Sequence, residues 1–136
     1  MIVISSGAQA QSLSDDEAEV WSFIEGAWAE HSPGSTWHEV MHEDGFGRGS
    51  AHYPMGRDRA TLVRYSGALG GEGEILFMEM RPVEIVIAGD TATAFYYASV
   101  VENDYAGERK TNVQQCADTL VRNGGDWQFL GWDVGP

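Results

Sequence analysis

One stretch constrains the fold more than any other. From Val83 to Val101 the chain reads as two strands joined by a two-residue turn: Val83 to Ala88 is apolar and rich in β-branched residues, Gly89 and Asp90 follow, and Thr91 to Val101 continues as a longer strand. A two-residue connection with glycine first is a hairpin turn whose twist suits the flanking strands. Side chains alternate along a strand, so Ala92, Ala94, Tyr96, Ala98 and Val100 share one face, and Thr93, Phe95, Tyr97, Ser99 and Val101 share the other. Both faces are too apolar to lie against water, and each needs cover. The alanine row lets a helix approach closely. That assigns it to the interior, aims Tyr96 inward, and turns Phe95 and Tyr97 toward a partner subunit.

The helices come before the sheet. Ser14 to Glu17 (SDDE) has the form of a capping box, in which serine and glutamate each satisfy an orphan amide. Val20, Trp21, Ile24, Ala27 and Trp28 then recur at helical spacing, and Ser32, Pro33 and Gly34 stop the helix. Thr36 to Glu39 opens a second, short helix ending at Asp44 and Gly45; the glycine-rich run from Phe46 to Gly56 reads as irregular. Asp58 caps a third helix carrying Leu62, Tyr65, Ser66 and Leu69, closed by Gly70 and Gly71. Beyond Gly73 come Glu74 to Met80, interrupted by Pro82, then the hairpin, a polar loop from Glu102 to Glu108, and the strands Lys110 to Arg122 and Asp126 to Val134. Helices first and antiparallel strands after define an α+β domain. Its 136 residues suit one core, residues 14–136. Residues 1–13 precede it as a flexible tail or the remnant of a signal peptide.

Charge narrows the partners. Twenty-one acidic against eight basic side chains give a formal net charge of −13, with no basic cluster. Such a chain is repelled by phosphate backbones and anionic lipid, which argues against nucleic acid and membrane surfaces. No apolar run approaches a membrane span. Cys116 is the single cysteine, so no intrachain disulfide forms, and its strand setting reads as a small buried hydrophobe. At the N-terminus, Ala8-Gln9-Ala10 has the small-x-small form of a signal-peptidase site after a short apolar run. A cytoplasmic and an exported protein are both compatible with it.

Several local phrases carry a resemblance. They are Trp37 with His42 to Gly47 (HEDGFG), Gly89 to Ala92 (GDTA), and Thr119 to Phe129, in which a glycine turn precedes Trp127-Gln-Phe129. With the element order, they resemble the nuclear transport factor 2-like superfamily, in its SnoaL-like branch, over residues 14–134. The resemblance implies three N-terminal helices packed on a strongly curved antiparallel sheet, forming a cone with an internal pocket. It also implies a homodimer through the convex sheet face, here Phe95 and Tyr97. Trp37, Tyr53, Tyr65 and Tyr96 fall on elements that wall such a pocket, and the resemblance implies tyrosine hydroxyls there that donate to an oxyanion.

Three constellations bear on chemistry. His38-Glu39-Val40-Met41-His42 fits H-E-x-x-H, which on a helix sets two histidines on one face for zinc. Arg48 occupies the third ligand position of the longer pattern and the helix is short, so adventitious histidines are the default and no metal is expected. Trp132-Asp133 resembles the pair near the end of SnoaL-like polyketide cyclases, where an acidic residue does acid–base work. Asp133 would then share an inward face with Trp127 and Phe129, and the competing reading is a solvated chain end. Asp118 lies on a row with Asn112, Gln114, Cys116 and Leu120. That polar row faces a cavity, an exposed edge or a wet interface. His52, beside Tyr53, reads equally as an acid–base group or a loop histidine. No glycine-rich phosphate loop joins a strand to a helix, and no cofactor is expected.

Two functions are carried forward. One is a pocket enzyme using acid–base chemistry (cyclase, isomerase or dehydratase) on a small, apolar, oxygenated ring compound. The other is a non-catalytic ligand-binding or dimeric interaction module. A zinc-dependent hydrolase through His38, Glu39 and His42 is a remote third.

Overall fold

The computed structural model describes residues 3–6, 13–29, 37–48, 57–61, 74–103 and 106–135. Strands β1 (Val3–Ser6), β2 (Met41–Arg48), β3 (Arg57–Asp58), β4 (Glu74–Ala88), β5 (Thr91–Asn103), β6 (Arg109–Arg122) and β7 (Trp127–Gly135) form one seven-stranded sheet. Its order is β1-β4-β5-β6-β7-β2-β3. The centre is an antiparallel meander from β4 to β7. β1 joins β4 and β2 joins β7 in parallel. The architecture is α+β.

Helix α1 (Asp15–Ala29) begins at the expected box: the Glu17 amide donates to Ser14 Oγ at 3.3 Å, and the Ser14 amide donates to Glu17 Oε2 at 3.0 Å. Val20, Trp21 and Ile24 are buried, with Phe23, Ala27 and Trp28 packed beside them. The helix lies across the sheet face that carries Ala92, Ala94 and Ala98, all buried. Methyl side chains there let large helix residues reach the strands: Trp21 meets Tyr96 edge-on at 5.3 Å, and Phe23 meets Phe129 at 5.1 Å. On the other face Phe95 and Tyr97 are each 45% exposed, as the alternation requires. Gly89 turns the β4–β5 hairpin with φ at 60°, open to glycine without a Cβ penalty.

The structure corrects several expectations. Val3–Ser6 pairs with Phe77–Met80, giving partners to backbone groups on the β4 edge. The second helix is a single 3-10 turn, Trp37–Val40, after which the chain turns into β2. The expected irregular run therefore opens as strand, with Phe46, Gly47 and Arg48 paired to Gly131, Trp132 and Asp133. Position 47 takes glycine there because the Trp132 ring lies on it; a Cβ would sit 2.0 Å from the indole. Asp58 does cap, its Oδ1 accepting from the Thr61 amide at 2.6 Å, and residues 59–61 are helical. The body of that third helix lies outside the described residues. Pro82 does not end β4. It sits beside a bulge that leaves Val83 unpaired with β5, past the Phe77–Met80 stretch paired with β1, where no described strand needs its N–H.

One more bulge decides the site. Between Thr119/Gly131 and Leu120/Phe129 the β6–β7 register slips, leaving Leu130 over. The slip changes which β7 residues face inward. Trp127 and Phe129 are buried before it, and Val134 after it. Trp132 then stands opposite Asp118, and Asp133 is exposed on the outer face.

Candidate functional site

Inside the sheet one ionisable chain stands out. Tyr96 and Asp118 lie on β5 and β6 one diagonal apart, since Tyr96 pairs with Cys116. Tyr96 Oη donates to Asp118 Oδ2 at 2.7 Å, and Trp28 Nε1 of α1 donates to Tyr96 Oη at 2.8 Å. Asp118 is 3% exposed, the one charged residue of the described core. Its cross-strand neighbours on the same face are Ala94 and Trp132, and Trp132 in turn faces Gly47. Among the described residues, Tyr96 is the hydrogen-bonding partner of Asp118.

Burial sets the electrostatics. Loss of water pushes the Asp118 carboxyl up to about 7, against the opposing pull of the Tyr96 hydrogen bond. Near neutral pH the group divides between its two forms. Tyr96 is pushed well above its ordinary value by burial and by the neighbouring Asp118 charge, so it keeps its proton. The Cys116 thiol is pushed up to about 12 by burial and by Asp118, and stays an inert thiol. It is the buried hydrophobe that its strand setting suggested.

The structure brings together two of the expected site residues, Asp118 and Tyr96. It separates Asp133 from them, on the opposite face, because of the slip at Leu130. Trp127 and Phe129 are inward but belong to the core away from Asp118: Phe129 pairs with Leu120 and packs on Phe23, and the Arg122 guanidinium lies 4.6 Å from the Trp127 ring centre. Asp133 therefore does not share a face with them. Arg122 itself reaches toward Glu19 of α1 and Asp90 of the hairpin, tying helix to turn. His52, Tyr53 and Tyr65 lie outside the described residues, as does the side chain of Trp37.

The polar β6 row also resolves. Residues 115–122 are flanked by β7, whereas residues 109–114 extend past its end. Cys116, Asp118 and Leu120 are thus buried, while Asn112 and Gln114 are half-buried, Asn112 donating to Glu102 at 2.9 Å. The H-E-x-x-H spacing loses its helix: His42 is on β2, where its Nδ1 accepts from the Asp44 amide at 3.1 Å. No cluster of three or more metal-ligating side chains occurs among the described residues. Nor is any described helix long and apolar enough to cross a membrane.

Trp28 is the site residue that the sequence reading placed only on an apolar stripe. A buried indole N–H needs an acceptor. That need was the available signal, but its partner depends on where α1 crosses β5. Two further indole N–H groups, of Trp21 and Trp127, are buried with no hydrogen-bond acceptor among the described residues.

This arrangement of a meander sheet, one long crossing helix and an interior polar group is the nuclear transport factor 2-like fold, and solved structures place the chain there. It is similar to a ketosteroid isomerase-like protein from Erwinia carotovora atroseptica, with 16% identity over 88% of this chain and 91% of that one, at a TM-score of 0.69. ActVI-ORFA from Streptomyces coelicolor is 20% identical over 87% of this chain and 95% of that chain, at a TM-score of 0.61. An NTF2-like protein of unknown function in nutrient uptake from Rhodospirillum rubrum is 16% identical over 84% and 95%, at 0.66. The sequence matches no protein-family model and no curated protein.

Proposed function

We propose that the chain is a small-molecule enzyme in which Asp118 moves a proton on an apolar, oxygenated ring compound, as a cyclase, isomerase or dehydratase. The observation that carries this is a carboxyl buried among apolar side chains, held by a tyrosine, and pushed to about pH 7 by its surroundings. A desolvated carboxylate is a stronger base than one in water, and its conjugate acid can return the proton near neutrality. An apolar substrate enters such an interior with little loss of hydration. Tyr96 stays protonated and holds the carboxylate, so its hydroxyl serves Asp118 rather than an oxyanion on the substrate. The SnoaL-like resemblance and the ketosteroid isomerase-like neighbour support the same class.

In this reading Trp37, His52, Tyr53 and Tyr65, which lie outside the described side chains, are carried as ligand-contact residues. The test is a screen of cyclic ketones and hydroxyketones for hydrogen exchange or turnover in deuterated buffer. Activity should rise through pH 7 and fall about 100-fold or more in Asp118→Asn, within the range that general acid–base groups supply. Undiminished activity in that variant would remove Asp118 from the reaction.

An interaction role for the outer face is a second reading, compatible with the first. Val83, Phe95 and Tyr97 are exposed there beside a groove of about 470 Å³ that also touches Glu84, Gln115 and Asp133. A homodimer would cover them.

A further inference from the structure

The direction of the hydrogen bonds at Asp118 is dictated from the helix. An indole N–H can only donate. With Trp28 Nε1 at 2.8 Å, Tyr96 Oη must accept, and its single proton is left to point at Asp118 Oδ2, 2.7 Å away. We propose that Trp28 is a positioning residue: by filling the acceptor side of Tyr96 it fixes the tyrosine proton on Oδ2 and reserves Asp118 Oδ1 as the atom that takes up and releases a proton. This rests on the acid–base reading of the site given above. A proton leaving the bound molecule forms its new bond to Oδ1, Asp118 passes from charged to neutral, and the Tyr96 bond is kept throughout. The returning proton leaves from the same atom.

Without the indole, Tyr96 has a free acceptor side. It can then turn and accept from a protonated Oδ2, which stabilises the neutral carboxyl and divides the proton between two addresses. The other groups around Asp118 do not set this direction. β6 contributes Cys116, whose thiol remains protonated. On α1 the Glu25 carboxyl is raised by partial burial, and it is not among the groups acting on Asp118. On β7 the residue opposite Asp118 is Trp132, and Asp133 lies on the outer face.

The test is a carbon-detected NMR titration of the Asp118 carboxyl in four proteins: wild type, Trp28→Phe, Tyr96→Phe and the double variant. Trp28→Phe is expected to raise the Asp118 midpoint by about half a pH unit or more, roughly threefold in proton affinity. In the Tyr96→Phe background the same change should do nothing, because its route through the hydroxyl is gone. An unmoved midpoint in Trp28→Phe, or an equal movement with and without the Tyr96 hydroxyl, overturns the proposal. The wild type alone supplies a second reading: the Trp28 indole N–H resonance should shift with the Asp118 midpoint, and a flat response also overturns it. None of these readouts needs turnover, so a failed substrate screen counts against the enzyme reading, while the titration tests the positioning role of Trp28 separately.

Discussion

Tyr96 reaches Asp118 across a strand diagonal, hydroxyl to Oδ2 at 2.7 Å, from a residue whose direct partner is Cys116. The diagonal matters because long side chains span it while short ones do not. Ala94, the direct neighbour of Asp118 on β5, leaves that space to the tyrosine.

The first prediction concerns stability and pH. In the folded chain Asp118 keeps its proton up to about pH 7, whereas an unfolded aspartate releases it near 3.8. Between those values the folded state binds more protons, so its contribution to stability is full below about pH 4 and is lost as pH rises through about 7. Asp118→Asn keeps an acceptor for Tyr96 and removes the charge. Urea melts at pH 4, 6 and 8 should show the variant gaining on wild type with pH, on the order of 2–4 kcal/mol at pH 8.

Asp133 supplies the contrast. Exposed on the outer face, it is expected to give a variant, Asp133→Asn, within about 1 kcal/mol of wild type in the same urea melts. A loss of several kcal/mol would show that its carboxylate holds a partner the fold depends on.

A third prediction follows from Trp132 lying on Gly47. A methyl at position 47 would sit 2.0 Å from the ring, and ring and strand cannot both stay in place. Gly47→Ala should cost about 2 kcal/mol or more. In a Trp132→Ala background most of that cost should vanish, giving a coupling energy in a double-mutant cycle. Additive losses would mean that the strain arises elsewhere.

The outer face gives the fourth. Phe95→Glu with Tyr97→Glu should convert a dimer to monomers in sedimentation velocity, with the melting temperature little changed because both side chains are 45% exposed. A dimer that persists would place the subunit contact on another surface.

Much of this was legible in residues. The box at Ser14 and Glu17, the Gly89 turn and the alternation along β5 are local, and each formed as its chemistry requires. What escaped was set by distant partners. Gly47 reads as a breaker until an indole from β7 is laid upon it. The pairing of Val3–Ser6 with the β4 edge has no local signal in the sequence. His42 sits at helical spacing from His38, yet the chain there follows β7 into the sheet. The face on which Asp133 lies was hidden for a related reason: strict alternation counts residues, and one unpaired residue inverts the count.

That single unpaired residue, Leu130, has a consequence at the level of the gene. Losing that codon would remove the bulge and leave Gly131 with Thr119 and Trp132 with Asp118, so Asp133 would stay outside. Drawing Leu130 into the ladder opposite Thr119 would instead move every later residue on by one and turn Asp133 inward opposite Cys116, giving two carboxylates in one apolar site, where they cannot both ionise. The bulge, rather than the residue count, thus separates a lone titrating acid from an acid pair on the same scaffold. Chains that align without a gap at Trp-Asp can for the same reason present different residues to their interiors.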